Sequence, residues 1–269
     1  MTNRTSPPAA PAPMATGDPD FMTSLARGLA VIRAFTGGTG RRTTGSIAQA
    51  TGLSRAAVRR CLYTLQRLGY VGLDERGHYV LRPAILALGY AFLSSSSLVA
   101  TARPILDQVS ALVHESCSMA VLEGDLIVYV ARSSSSRRIM TTDLGVGSRL
   151  PAYCTSMGRV LIAGLREEDR NAYLARLVPV RYTPRTVTAR DALRAVLDEV
   201  ARDGCALVDQ ELEVGLRSMA VPVRDMGGAV VAAINVSTHA SRVGADELRE
   251  RCLGPLTAAA RELSLALPV

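Results

Sequence analysis

Lysine and tryptophan are absent from this sequence, and histidine occurs only three times. All 31 basic residues are therefore arginine, a bias that a GC-rich genome produces without functional pressure. The histidines, His78, His114 and His239, are too dispersed to suggest a metal site. The five cysteines (Cys61, Cys117, Cys154, Cys205, Cys252) are odd in number and never form CxxC, so neither a zinc ribbon nor a disulfide framework is indicated. A reducing cytoplasm fits them best. The opening "MTNRTSPPAAPAPMATGDPD" lacks an apolar core, so residues 1–20 read as a disordered tail rather than a signal peptide. One uncharged stretch, Pro83 to Ala102, matches a bilayer span in length, but its four consecutive serines, extra threonine and central glycine argue against insertion. A buried or interfacial helix is expected there, and no membrane partner. There is no internal repeat.

Acidic residues are also missing where they would be informative. None occurs between Asp20 and Asp74, and residues 1 to 93 hold eleven arginines against four acids, which accounts for the whole net charge of +7. The remainder balances to zero. At 269 residues the chain has room for two ordinary domains. The charge asymmetry suggests that the first third meets a polyanion while the rest does something else.

Thr23 or Ser24 can cap a first helix with Leu25, Leu29, Ile32 and Phe35 on one stripe. Thr44 can cap a second helix that Gly52 breaks, and Ser54 a third that runs to Leu68 before Gly69. "YVGLDERGHYVL" then alternates around a polar turn as a small hairpin. Three helices followed by a hairpin is the order of a winged helix-turn-helix. On the third helix, Arg55, Gln66, Arg59, Tyr63, Ala56, Arg67 and Arg60 fall within an arc of ~140° at ~100° per residue, and Leu68, Ala57, Cys61, Leu65, Val58 and Leu62 occupy the other side. Such a helix can pack on a core and offer arginines to a major groove. A solvated surface helix is the bland alternative, but it usually mixes signs to gain i,i+4 pairs. The expected DNA contacts are Thr44, Ser54, Arg55, Ala56, Arg59, Arg60, Tyr63, Arg67 and, in the hairpin turn, Arg76.

Beyond the hairpin, 83–115 reads as a linker helix and dimerisation segment, after a DNA-binding domain over 21–82. An effector-binding domain is expected over 116–269. There "SMAVLEGDLIVYVAR" gives two strands about a turn, "RRIMTTD" a third, and "CALVDQEL", "SMAVPVRD" and "AVVAAINVS" three more. Helices are expected from Thr155 to Ala163, along "TARDALRAVLDEVARDG" with Leu193, Val196, Leu197 and Val200 on one face, and from Asp246 to Leu265. The class is α+β, with a C-terminal α/β domain around a mixed or antiparallel sheet.

No catalytic set is apparent. Cys154 has no evident His and Asn or Asp companions, so no enzyme and no cofactor are expected. Asp209, Glu211 and Glu213 alternate along a predicted strand and read either as acid/base carboxylates or metal ligands, or as a polar strand edge. "YCTSMGR" leads a loop into a helix, so free N–H groups near Thr155, Ser156 and Met157 can receive a carboxylate. Arg138 and Arg149 are candidate carboxylate partners or plain surface arginines.

"TSLARGLAVIRAF", "TTGSIAQATGLSRAAVRRCL", "LQRLGY" and "RPAILALGYAFL" together resemble the IclR family of transcription regulators, over about residues 21 to 265. In the helix-turn-helix, Ala48 lets the helices approach, Gly52 turns the chain and Val58 packs behind. "RLPAYCTSMGRVLIAGL" and "ALVDQELEVGLRSMAVPVRDMGGAVVAAINVS" are similar to the effector-binding domain of the branch that governs aromatic-acid breakdown through the β-ketoadipate pathway. The resemblance implies effector contacts at Tyr153, Cys154, Thr155, Ser156, Met157, Asp209, Leu216, Ser218, Asn235 and Ser237. It implies as partners a double-stranded DNA operator, a small aromatic or dicarboxylic acid such as protocatechuate, and further copies of the chain in a dimer or dimer of dimers.

Overall fold

A computed structural model describes residues 18–36, 40–95, 97–133 and 144–267, and the chain divides into two compact units between Phe92 and Leu93. Residues 1–17 of the expected tail, and the expected strand "RRIMTTD" with Arg138, lie outside the described residues.

The first unit contains α1 (Thr23–Arg33), α2 (Thr44–Thr51) and α3 (Arg55–Arg67), then β1 (Val71–Leu73) and β2 (Tyr79–Leu81), paired antiparallel with Val71 opposite Leu81. The start of α2 is fixed by a capping box: the Thr43 hydroxyl accepts from the Ser46 N–H at 3.1 Å and Ser46 Oγ accepts from the Thr43 N–H at 3.0 Å. The cap is thus Thr43, and Thr44 is the first helical residue. Gly52, at φ 70°, ends α2 in the left-handed region, where a side chain would be strained. Ser54 caps α3 by accepting from the Ala57 N–H at 3.2 Å. Val31, Phe35, Ile47, Val58, Leu62, Leu65 and Val71 form the core.

Only the second half of the stripe expected on α1, Ile32 and Phe35, packs on the core. Leu25 and Leu29 are exposed at 58% and 44%, while Val31, Ala34 and Phe35 are buried, because only the last turns of α1 belong to this small core. Leu68, expected on the packed side of α3, is 62% exposed, since it lies past the last helical residue and no longer follows the helix face.

A 3₁₀ turn (Pro83–Ile85) leads into α4 (Leu86–Ser95) and a separate α5 (Ser97–Val113), so the serine run divides two helices. Leu98, Ala102, Ile105, Leu106, Val109 and Val113 of α5 are buried in the second unit's own core. Only the earlier part of the expected inter-subunit stretch is therefore uncovered: Leu86, Leu88, Tyr90 and Phe92 are all more than half exposed. Among the described residues no single helix is long and apolar enough to cross a membrane.

The second unit is built on β3 (Ser116–Glu123), β4 (Leu126–Arg132), β5 (Arg149–Pro151), β6 (Ala206–Asp209), β7 (Leu216–Arg224) and β8 (Val230–His239). They form one sheet in the order β5-β4-β3-β8-β7-β6, and every neighbouring pair is antiparallel. Period-two alternation gives the sheet two faces. Cys117, Met119, Met219, Val221, Ile234 and Val236 pack against α5 and α9 (Ala245–Leu265). Ala120, Ala220 and Ala233 face α6 (Ser156–Ala163), α7 (Glu167–Arg176) and α8 (Arg190–Asp203). These alanines leave room for α6 to lie close to the sheet.

The sequence reading did not anticipate α7 or β5. β6 stops at Asp209, so Glu211 and Glu213 are on a loop and not on the expected strand; Gln210, at φ 61°, turns the chain there.

Candidate functional site

On α3, Arg55, Ala56, Arg59, Arg60, Tyr63 and Arg67 are exposed, as are the cap Ser54 and, in the hairpin turn, Arg76; Thr44 is half-buried. No acid among the described residues pairs with any of these five arginines. Neighbouring cations are committed elsewhere. Arg41 pairs with Asp74 at 3.2 Å, and Arg42 donates to the carbonyls of Ala34 and Thr36 at the end of α1. Asp74 in turn accepts from the backbone N–H groups of Arg76 and His78, both at 2.9 Å. The His78 N–H, opposed by partial burial and aided by the Arg76 N–H, holds the Asp74 carboxyl below its ordinary pKa, so it remains the anion that orders the wing. The surface left over is strongly positive and backed by Val58, Leu62 and Leu65, the arrangement a major-groove helix requires.

In the second unit a cleft lies where the start of α6 meets the sheet. It is lined by Ser116, Ser118, Tyr129, Arg132, Leu144, Leu150, Cys154, Thr155, Ser156, Met157, Val208, Leu212, Leu216, Ser218, Asn235 and Ser237. Antiparallel register brings most of its polar groups together. Ser118 stands opposite Arg132 on one side and Asn235 on the other, while Ser116 is opposite Ser237, Ser237 opposite Ser218 and Ser218 opposite Val208. Two polar rows thus cross the sheet on the α6 face.

Above them Thr155 caps α6, accepting from the Gly158 N–H at 3.3 Å, and the buried Ser156 hydroxyl donates to Ser218 Oγ at 2.9 Å. Gly158 permits this placement: a Cβ there would sit 2.1 Å from the Ala152 carbonyl oxygen. The Asn235 side chain donates to Ser237 Oγ at 2.9 Å, but its buried Oδ1 has no hydrogen-bond partner among the described residues. An unsatisfied buried acceptor costs ~1–3 kcal/mol, which a ligand donor or a water would recover.

The family models match both units. Residues 24–75 match the IclR helix-turn-helix domain, and residues 90–265 match the C-terminal domain of the bacterial transcriptional regulator IclR. The chain belongs to the IclR family. It is 52% identical over 248 residues to the Pca regulon regulatory protein of Pseudomonas putida, covering 92% of this chain and 85% of that one. A solved structure from Rhodococcus sp. RHA1 is 49% identical with a TM-score of 0.80, covering 92% and 98% of the two chains. An IclR homologue from Microbacterium hydrocarbonoxydans in complex with 4-hydroxybenzoate is 26% identical with a TM-score of 0.77, covering 91% and 99%.

Within this IclR-family chain, Cys154, Thr155, Ser156, Met157, Leu216, Ser218, Asn235 and Ser237 of the expected effector residues line the cleft together. Three others point elsewhere. The Tyr153 hydroxyl accepts from the Val180 N–H at 2.8 Å and donates to the Val180 carbonyl, clipping the loop before α6 to a distant segment. Asp209 pairs with Arg217 at 2.8 Å and with Arg185; burial opposes its charge, but the Arg217 hydrogen bond and field outweigh this and hold its pKa low. Arg149 pairs with Glu123 at 3.0 Å outside the cleft.

The acid/base reading of the carboxylates fails for Glu211, which is consumed by a structural pair. It is 6% exposed, lies 2.7 Å from Arg159, and accepts from the Val187 N–H at 3.0 Å. Desolvation pushes the Cys154 thiol up to about 12, opposed by Arg159, so it is not a thiolate near neutrality. Among the described residues no His, Cys, Asp and Glu cluster could hold a metal.

The sequence reading missed Ser116, Ser118, Tyr129 and Arg132. The serines carry a legible signal, because they alternate with the core residues Cys117 and Met119. Tyr129 and Arg132 do not, because they are three residues apart and strict alternation would put them on opposite faces. A β-bulge resolves this: Ala131 is opposite Met119 but Tyr129 is opposite Ala120, so Val130 is the extra residue and both side chains reach the cleft. Val130 and Ala131 accordingly both lie in the core on the other face.

Proposed function

We propose that the chain is a ligand-responsive transcription regulator of aromatic-acid catabolism. In this reading α3 and the wing bind a double-stranded operator, and the cleft of the second unit binds a small aromatic or dicarboxylic acid. The observation that carries it is the separation of two features into two units: in the first, five arginines that pair with no acid among the described residues, and in the second a polar cleft at a helix start with a buried acceptor that has no partner among those residues. DNA contacts are assigned to Thr44, Ser54, Arg55, Ala56, Arg59, Arg60, Tyr63, Arg67 and Arg76. Effector contacts are assigned to Cys154, Thr155, Ser156, Met157, Leu216, Ser218, Asn235 and Ser237. The likeness to the Pca regulon regulatory protein and to a homologue that binds 4-hydroxybenzoate supports the choice of pathway.

Its action is binding rather than catalysis, and it takes place in the cytoplasm. A short recognition helix reads few base pairs, so the working form is a dimer or a dimer of dimers. Exposed Leu25 and Leu29 of α1 and Leu86, Leu88, Tyr90 and Phe92 of the following segment supply apolar surface for a second copy. Effector binding shifts the equilibrium between placements of the paired DNA-binding units. A gel-shift with the DNA upstream of its own gene tests the reading, run with and without protocatechuate, 4-hydroxybenzoate and β-ketoadipate. Retention that survives excess random DNA and changes with one of the acids is expected; equal competition by random DNA would overturn it.

A further inference from the structure

Resting on the reading that the cleft takes a small acid, we infer that Arg132 is the residue that receives the acid's carboxylate. Arg132 is the one cation among the described lining residues. The other arginines near this end of the sheet are spent: Arg159 on Glu211 and the Tyr153 carbonyl, Arg217 on Asp209 and the Val243 carbonyl, and Arg149 on Glu123. No acid among the described residues pairs with Arg132. Its Nη1 donates to the Leu144 carbonyl, and among the described residues no other acceptor takes a hydrogen bond from the fork.

Three features make this a built site rather than a stray surface arginine. The bulge in β4 brings Arg132 onto the cleft face together with Tyr129, which strict alternation along the strand would not do. Across the same row lie Ser118 and Asn235, whose buried Oδ1 has no partner among the described residues and can accept from a polar group at the far end of a bound acid. Burial raises the Tyr129 pKa, so its phenol beside Arg132 remains a neutral hydroxyl and does not compete as an anion. A half-buried guanidinium with a planar fork matches a carboxylate bidentately, and such pairs weaken steeply when one partner is truncated.

The test is calorimetry on the full chain, comparing wild type, Arg132→Met and Arg132→Lys. Each is titrated with protocatechuate, 4-hydroxybenzoate and β-ketoadipate, and with the neutral 3,4-dihydroxybenzamide and 4-hydroxybenzamide. Circular dichroism melting controls for folding. Arg132→Met should bind the acids at least about thirtyfold more weakly and should no longer prefer an aromatic acid over its amide; Arg132→Lys should keep part of that preference. If Arg132→Met binds within about threefold of wild type, or keeps the wild-type acid preference, the inference falls while the effector reading stands. If Arg132→Met does not fold, Arg132→Gln, which removes the charge but keeps a polar head, decides by the same two criteria. Should wild type bind none of the three acids, the effector reading falls and takes this assignment with it.

Discussion

Replacing Arg59 by alanine separates phosphate contact from base readout on the recognition helix. Arg59 lies on the exposed face of α3 between Arg55 and Tyr63, and no carboxylate among the described residues holds it. In a dimer the substitution removes two guanidinium groups. If both sit on phosphates, the slope of log K against log salt falls by about 1.8, because each phosphate contact contributes about 0.9. Raising salt fourfold, from about 50 to about 200 mM, should then shrink the wild-type advantage about tenfold. If instead Arg59 reads a base edge, the advantage persists across that range at ~1–3 kcal/mol per half-site, and sequence preference relaxes at one position. Fluorescence anisotropy with labelled operator over a potassium chloride series measures both quantities. Arg166→Ala is the control, since that arginine lies in the second unit with its side chain 81% exposed and pairs with Asp169. An Arg59→Ala protein with unchanged affinity, slope and sequence preference would refute α3 as the DNA-reading element.

Ser156→Asp places a carboxylate at the cleft beside Ser218, so it should abolish acid binding measured by calorimetry while operator affinity without effector stays unchanged. Glu211→Ala leaves Arg159 as a buried, uncompensated charge and should cost ~3–5 kcal/mol in denaturant unfolding of the second unit. The Asp209 carboxyl has its folded pKa below 3.8, so its contribution is complete above that value and is lost as pH falls through the folded pKa. The difference in melting temperature between wild type and Asp209→Asn should therefore narrow as pH drops from about 5 toward about 3; a gap that widened would show that the Arg217 pair does not set the shift.

Much of the fold was legible because it is local. Caps and breakers at Ser54, Gly52 and Gly69 mark the helix ends of the first unit, and alternation marks β3, β4, β7 and β8. The second helix was placed one residue late because Thr43 and Thr44 are both good caps, and only Ser46, three residues after Thr43, decides between them. The α1 stripe misled because Leu25 and Leu29 extend past the small core, where apolar spacing alone does not say what covers it.

By itself, the sequence determined the arginine face of α3 and the loop that opens α6, since each depends on residues a few positions apart along one element. Tertiary structure alone decided that β4 bulges at Val130 and brings Arg132 beside Ser118 and Asn235, and that Glu211 is spent on Arg159 instead of lining the cleft. Strand register and buried charge pairing join segments distant along the chain, and their energies come from neighbours that no local spacing names.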